Sequence, residues 1–209
     1  MLSRKAILRG IETGHIEVTP LVRQHIGPNS IDLRLGATLK SYHPIINRIE
    51  VQDPVSGGFF HAIDPANPPP LVDVPKVLDA GYPNHWLLVP GMFYLGVTME
   101  ETYTRGFVAC IDGRSTCGRL SIEAHKTAGV GDNGFRGRWT LEIEATEPVL
   151  VAPGDRLFQV YFEPCWAVWM AEPDKTEQHD LYGGDQHHYQ NSQEVRGAIA
   201  LSSKSLDEE

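Results

Sequence analysis

Cysteine is scarce. The 209 residues contain three, Cys110, Cys117 and Cys165, with no CxxC pair and no Cys/His ligand spacing. An odd number without such spacing indicates neither a disulfide framework nor a structural zinc site, and it suits a reducing compartment. Long apolar runs are also missing. No stretch approaches the ~20 apolar residues that a membrane-spanning helix needs, and the N-terminal segment MLSRKAILRGIETGHIEVTP spreads charges among its apolar residues. A soluble cytoplasmic protein with no membrane partner is expected. Positive charge is short, with 18 Lys and Arg against 27 Asp and Glu and a net charge of -9. That balance argues against a large basic face, and so against polymeric nucleic acid as a partner. A small anionic ligand stays compatible, because a few local cations, backbone N–H groups and a metal ion suffice to offset its charge. Long helical periods, strand–helix alternation, internal repeats and heptads are absent too, which disfavours a doubly wound sheet.

What is present is glycine, proline and short apolar runs. Twenty glycines and fifteen prolines punctuate segments of strand character: SIDLRLG, HWLLVPG, MFYLGVTME, GFVACID, RWTLEIEA, PVLVAPGD and RLFQVYF. Their even spacing predicts a mostly β chain, an antiparallel barrel or jelly-roll-like sandwich. The size suits one compact domain over residues 1–209. Leu2 to Gly14 reads as a short amphipathic helix, since Leu2, Ala6, Ile7 and Ile11 recur at helical spacing, Ser3 can cap it and Gly14 can stop it. Asp64 to Asp79, with its PANPPP run, is too proline-rich for a central strand and reads as a surface excursion. From Glu172 the chain turns polar, through EPDKTEQHD and YGGDQHHYQNSQE to SSKSLDEE.

Three clusters carry candidate chemistry. In Asp112-Gly-Arg-Ser-Thr-Cys-Gly-Arg119, which follows the apolar run FVACI, Arg114 and Arg119 offer forked donors and Ser115, Thr116 and backbone N–H groups offer neutral ones. That mixture suits a polyphosphate, although taken alone it is a weak signal that a solvated turn bearing surface arginines explains at least as well. In the stretch from His125 to Gly137, four glycines within nine residues let backbone approach a ligand closely. Asp132 in that loop can accept a hydrogen bond from a sugar hydroxyl or orient a water, or serve as an ordinary turn residue. In Trp139-Thr-Leu-Glu-Ile-Glu144, a period of two puts Thr140, Glu142 and Glu144 on one face and Leu141 and Ile143 on the other. A closed cavity over that face would desolvate Glu142 and suit it to shuttling protons, whereas an open one would leave a solvated polar face.

Together and in this order, the clusters resemble the dCTP deaminase family of the dUTPase superfamily, including its bifunctional dCTP deaminase/dUTPase branch. GRSTCGRL is similar to the family's GRSSLGRL, HKTAGVGDNGFRG to HxTAGxIDxGFxG, and TLEIEA to the TLEI strand that carries the family's catalytic glutamate. SIDLRLG, LLVPGMFYLGVTME and PGDRLFQVYF extend the likeness over most of the chain. The resemblance implies a distorted jelly-roll-like β-barrel of the dUTPase type, a homotrimer with sites shared between subunits, and a deoxynucleoside triphosphate bound with magnesium. It implies Glu142 as proton shuttle, Ser115 and Arg119 positioning base and water, and Arg114 and Thr116 contacting phosphate. Asp132 matches the acid at the deoxyribose 3′-hydroxyl and Gln159 a triphosphate-contacting glutamine. Gly118, Thr127, Ala128, Thr140 and Leu141 fall among the implied substrate-binding positions. Tyr182, with His188 and Gln193, falls in a C-terminal segment, about 172–209, implied to close over the nucleotide. Zinc is not required: the HxE and PCxxC signature of zinc deaminases is absent, Pro164-Cys165 leading into Trp166-Ala167.

Glu142 within TLEI favours deamination over plain dUTPase activity. Thr127-Ala-Gly-Val130 lacks the histidine and arginine of the strictly monofunctional branch, so the expected products from dCTP are dUMP, ammonia and pyrophosphate. The alternatives are a dUTP-forming deaminase, a dUTPase acting on dUTP, and a non-catalytic nucleotide-binding regulator. Joint presence of Glu142, Ser115, Arg119 and Asp132 argues against the last. The chain departs from the family pattern at Gly131, where isoleucine is usual, at Cys117, where the residue is apolar, and at Phe158, where glycine precedes the glutamine. It departs again in His188-Tyr-Gln-Asn-Ser-Gln193, which stands where the family has KYxxQ.

Overall fold

The computed structural model of the chain describes residues 1–165. Two helices and fourteen strands follow one another as α1 (Arg4–Glu12), β1 (Ile16–Thr19), β2 (Ile31–Leu33), β3 (Leu35–Tyr42), β4 (Arg48–Gln52), β5 (Phe59–Ile63), β6 (Leu71–Asp73), β7 (Trp86–Leu88), β8 (Tyr94–Thr104), β9 (Phe107–Gly113), α2 (Ser115–Arg119), β10 (Ile122–Glu123), β11 (Val130–Gly131), β12 (Arg136–Ala145), β13 (Val149–Val151) and β14 (Phe158–Pro164). The fold is mostly β, as the punctuated apolar runs require. Ser3 caps α1 by accepting the Ala6 N–H at 3.4 Å, and the helix closes at Thr13, one residue before the glycine. Ile7 on its inner face is fully buried.

Two sheets build the body. One runs β10-β12-β8-β3-β6 with β1 also paired to β8, and the other runs β11-β9-β14-β2. The chain crosses between them at Arg34, where β2 gives way to β3. Leu35, Leu39, Leu141 and Ile143 from the first sheet and Ala109, Ile111, Phe158 and Val160 from the second belong to one contiguous core. Burying each large aliphatic or aromatic side chain contributes about 1.5–3 kcal/mol, which makes this core the main source of stability. The structure also explains one departure from the family pattern. Phe158 is 0% exposed and fills core volume that a glycine would leave empty.

At Arg34 a charged pair is built into the interior. Glu100, 1% exposed, accepts the backbone N–H of Arg34 at 2.8 Å and its Nε at 2.6 Å. Such a buried carboxylate is tolerable only because both oxygens are met by donors.

Asp64 to Asp79 contributes only the three-residue edge strand β6, in keeping with its prolines. Ahead of it, β4 and β5 pair with each other and with no other strand among the described residues. Direct cross-strand partners Ile49 with Ala62 and Val51 with Phe60 share one face of that hairpin, and Ile49, Val51 and Phe60 are 46–61% exposed. No helix among the described residues is long and apolar enough to cross a membrane.

Candidate active site

The first cluster sits where β9 ends and α2 begins. The Arg114 N–H donates to Leu157 O at 3.0 Å, its Nε lies 3.1 Å from Asp32 Oδ1, and its Nη1 donates to Arg156 O at 3.0 Å. Asp32 also meets Arg156 Nη1 at 3.3 Å. Two guanidinium groups therefore converge on one carboxylate of β2, and Arg114 is held in place before any ligand arrives. Within α2 the buried residue is Cys117, whose thiol donates to Leu157 O at 2.7 Å. Burial pushes that thiol above its usual range, so it works as a neutral pin and not as a nucleophile. With Cys117 pinned inward, Ser115, Thr116, Gly118 and Arg119 are all exposed. A sulfur in the family's apolar position is a change of atom and not of role.

A short return brings the second cluster back against the first. β10 pairs with β12, setting Glu123 opposite Glu144. His125 Nε2 then lies 3.8 Å from Asp112 Oδ1. The backbone N–H of Lys126 donates to Glu142 Oε2 at 2.9 Å, and Lys126 Nζ pairs with Glu123 at 2.7 Å and also with Glu144. Thr127 and Ala128 are exposed, and β11 then pairs Val130 with Cys110 and Gly131 with Ala109 on β9. Asp132 opens a tight turn in which its carbonyl accepts the Phe135 N–H at 2.9 Å. Its side chain stands at the surface.

On β12 the alternation is as the period of two requires. Thr140, Glu142 and Glu144 are half-buried, while Leu141 and Ile143 are 1% and 0% exposed. Leu141 therefore has only its backbone to offer a ligand. Glu142 lies opposite Leu95 of β8 and is not enclosed by the described residues. Of the two surroundings that the period of two left open, a closed cavity or a solvated face, the described residues of one chain form the open one.

Gln159 on β14 is a structural bridge: Ser30 Oγ donates to its Oε1 at 2.9 Å and its Nε2 donates to Gly113 O at 3.1 Å. One amide hydrogen remains for another acceptor. Asp32, Arg156, His125 and Lys126 were not singled out from sequence, although each lies inside a quoted motif. The signal for Asp32 was a lone acid inside an otherwise apolar alternating strand. Tyr182, His188 and Gln193 lie outside the described residues. An apolar cavity of about 420 Å³, lined in part by Leu2, Ala6, Gly10, Phe107 and Pro164, sits at the opposite end of β9 from Asp112 and is remote from this chemistry.

A family model described as dCTP deaminase-like matches residues 1–165. The chain belongs to the dCTP deaminase-like family. Among the family's named members, the dCTP deaminase, dUMP-forming, of Clostridium beijerinckii is 33% identical over 199 residues, covering 95% of each chain. The protein of the same name from Leptospira biflexa serovar Patoc is 35% identical over 162 residues, 78% of this chain and 80% of its own. The crystal structure of 2′-deoxycytidine 5′-triphosphate deaminase from Agrobacterium tumefaciens matches with a TM-score of 0.52 at 22% identity, which is a likeness of fold. It covers 78% of this chain, which spans about half of that one, 47%.

Proposed function

We propose that the chain hydrolyses dCTP to dUMP, ammonia and pyrophosphate, consuming two waters. The observation that carries this reading is the carboxylate of Glu142, fixed by the Lys126 N–H on a half-buried strand face. Family relatives alike over nearly the whole chain are named dCTP deaminase, dUMP-forming, which supports the same products. In the deamination, Glu142 takes a proton from the attacking water and delivers it to N3 of cytosine as oxygen bonds to C4. The carboxylate then moves the hydroxyl proton to the departing amine, so that one group serves both transfers. Ser115 and Arg119 position base and water. Arg114 and Thr116, with the backbone around Gly118, receive phosphate. Asp132 accepts the deoxyribose 3′-hydroxyl, and Thr127, Ala128, Thr140 and Leu141 border the base and sugar. Gln159 offers its remaining amide hydrogen to the triphosphate. In the second step a water held near Asp132 attacks the α-phosphorus and pyrophosphate leaves.

Magnesium belongs to this reading as a companion of the triphosphate, where it screens phosphate charge. In this reading its ligands are phosphates and water. The outward exposure of Ser115, Thr116, Gly118, Arg119 and Asp132, together with Leu120 at 48% and Val130 at 64% exposure beside them, supports a homotrimer in which a second copy completes each site. One domain over 1–209, a cytoplasmic location, and closure by the segment carrying Tyr182, His188 and Gln193 complete the proposal.

The test is ammonia release from dCTP with magnesium. Glu142→Gln keeps an acceptor for the Lys126 N–H and loses the ability to carry protons, so release should fall by at least about 10²-fold while nucleotide still binds. Undiminished release by the variant overturns the assignment. Accumulated dUTP would identify a deaminase alone, turnover of dUTP only a dUTPase, and binding without turnover a regulator.

A further inference from the structure

Gly131 stands where the family has isoleucine, and the structure shows what occupies the vacated space. A Cβ built on Gly131 would lie 2.5 Å from Cη2 of Trp139 and 3.1 Å from its Cζ2, so the indole edge rests directly on the glycine backbone. Trp139 is 5% exposed and is not a flexible tip. Its Nε1 donates to Thr102 Oγ1 at 2.9 Å and its backbone N–H to Thr98 Oγ1 at 3.0 Å. The second bond replaces a ladder bond, because the register of β12 against β8 shifts between Arg138 and Thr140. A bulge of this kind re-aims a side chain. Here it accompanies a side chain that meets the turn on both flanks of Asp132: Gly131 on one side, and on the other Phe135, whose ring centroid is 5.2 Å away and tilted by 56°.

The turn depends on that support. Gly134 adopts φ +89°, a conformation few other residues take, and its N–H donates to Thr104 O at 3.0 Å. Asn133 Oδ1 accepts the Gly106 N–H at 2.7 Å. Hydrogen bonding does not finish the work, since Thr104 Oγ1 and Asn133 Nδ2 are buried without partners among the described residues. Packing of Gly131 and Phe135 on the indole is the remaining restraint on the turn. We propose that Trp139 is a positioning residue for Asp132, holding the sugar-recognition turn in place by resting its indole edge on Gly131 and its ring against Phe135. This rests on the reading above that Asp132 receives the 3′-hydroxyl.

The experiment uses the full chain, Gly131→Ala, Trp139→Phe and the double variant. Gly131→Ala drives a methyl into a fixed indole, so the turn shifts; Trp139→Phe removes the indole edge; combining them relieves the clash. Steady-state KM and kcat are measured with dCTP and with 2′,3′-dideoxy-CTP, which lacks the 3′-hydroxyl. Each single substitution should raise KM for dCTP about tenfold, the worth of one hydrogen bond to a charged group, while leaving the dideoxy KM and the kcat of ammonia release with both nucleotides nearly unchanged. The double variant should recover most of the preference for dCTP. Equal losses on both nucleotides, an unaltered preference in the single variants, or no recovery in the double overturns the proposal.

Amide hydrogen exchange at Gly134 and Phe135 without nucleotide gives a readout independent of turnover. Both amides should exchange about tenfold faster in each single variant and regain protection in the double. Unchanged exchange also overturns the proposal. If the unsubstituted protein does not turn over dCTP, the functional reading fails, and the exchange result still decides the role of Trp139.

Discussion

The Lys126 backbone N–H meets Glu142 Oε2 at 2.9 Å while the Lys126 side chain pairs with Glu144, the next residue on the same face of β12. One residue thus fixes the candidate proton shuttle through its backbone and neutralises that residue's acidic neighbour through its amine. The two contacts separate cleanly by mutation, because a side-chain substitution leaves the N–H in place.

Lys126→Met therefore tests the electrostatic half alone. The hydrogen bond from Lys126, and then its charge, hold Glu123 below the usual carboxylate range; hydrogen bonds to Glu123 and then Glu144 hold Lys126 above the usual amine range. A depressed carboxyl stabilises the fold above its unfolded pKa and loses that contribution as pH falls through its folded value. A raised amine stabilises the fold below its unfolded pKa and loses that contribution as pH rises through its folded value. The contribution thus fills the window between the carboxylate and amine ranges. Thermal melts should show the variant below the unsubstituted protein near neutral pH, with the gap closing in acid and shrinking in high salt. A gap that persists below the carboxylate range would contradict this account.

Glu100→Ala should be far more damaging. It strips both donors of Arg34 of their acceptor in a site where Glu100 is 1% exposed. Urea unfolding should register a loss of about 3 kcal/mol, the low end for breaking a buried pair, because the Arg34 side chain keeps 21% of its surface in water. A change within about 0.5 kcal/mol, typical of surface substitutions, would show that the pair is not structural.

Arg114→Lys separates charge from shape. Arg114 uses Nε for Asp32 and Nη1 for Arg156 O, a fork that an ammonium does not reproduce. The KM for dCTP should rise about tenfold or more even though the charge is retained, with little loss of kcat at saturation. An unchanged KM would remove Arg114 from the phosphate site.

The fold class was legible because its signals are local: turn residues and period-two runs placed most of the longer strands, including the alternation that separates Glu142 from Leu141. The hairpin of β4 and β5 was not legible, since Ile49, Val51, Phe59 and Phe60 are exposed and produce no buried-face pattern. β10 and β11, two residues each, exist only through pairing with β12 and β9, which no local signal encodes. The candidate site divides the same way. Its residue types could be read from motifs, but the attachment of Arg114 to Asp32 spans strands far apart in sequence. The contact of Gly131 with Trp139 likewise joins two strands, β11 and β12, and has no local signal.

β14 is the last described strand in sequence and yet lies inside its sheet, between β9 and β2. A chain emerging from the ribosome would hold β2 and β9 with open edges until Phe158 to Pro164 arrives, and until then Gln159 could not tie Ser30 to Gly113. Closure over so long a separation is slow and leaves strand edges open to wrong partners. The platform for the candidate phosphate site is thus assembled only when the last of the described strands takes its place between β9 and β2.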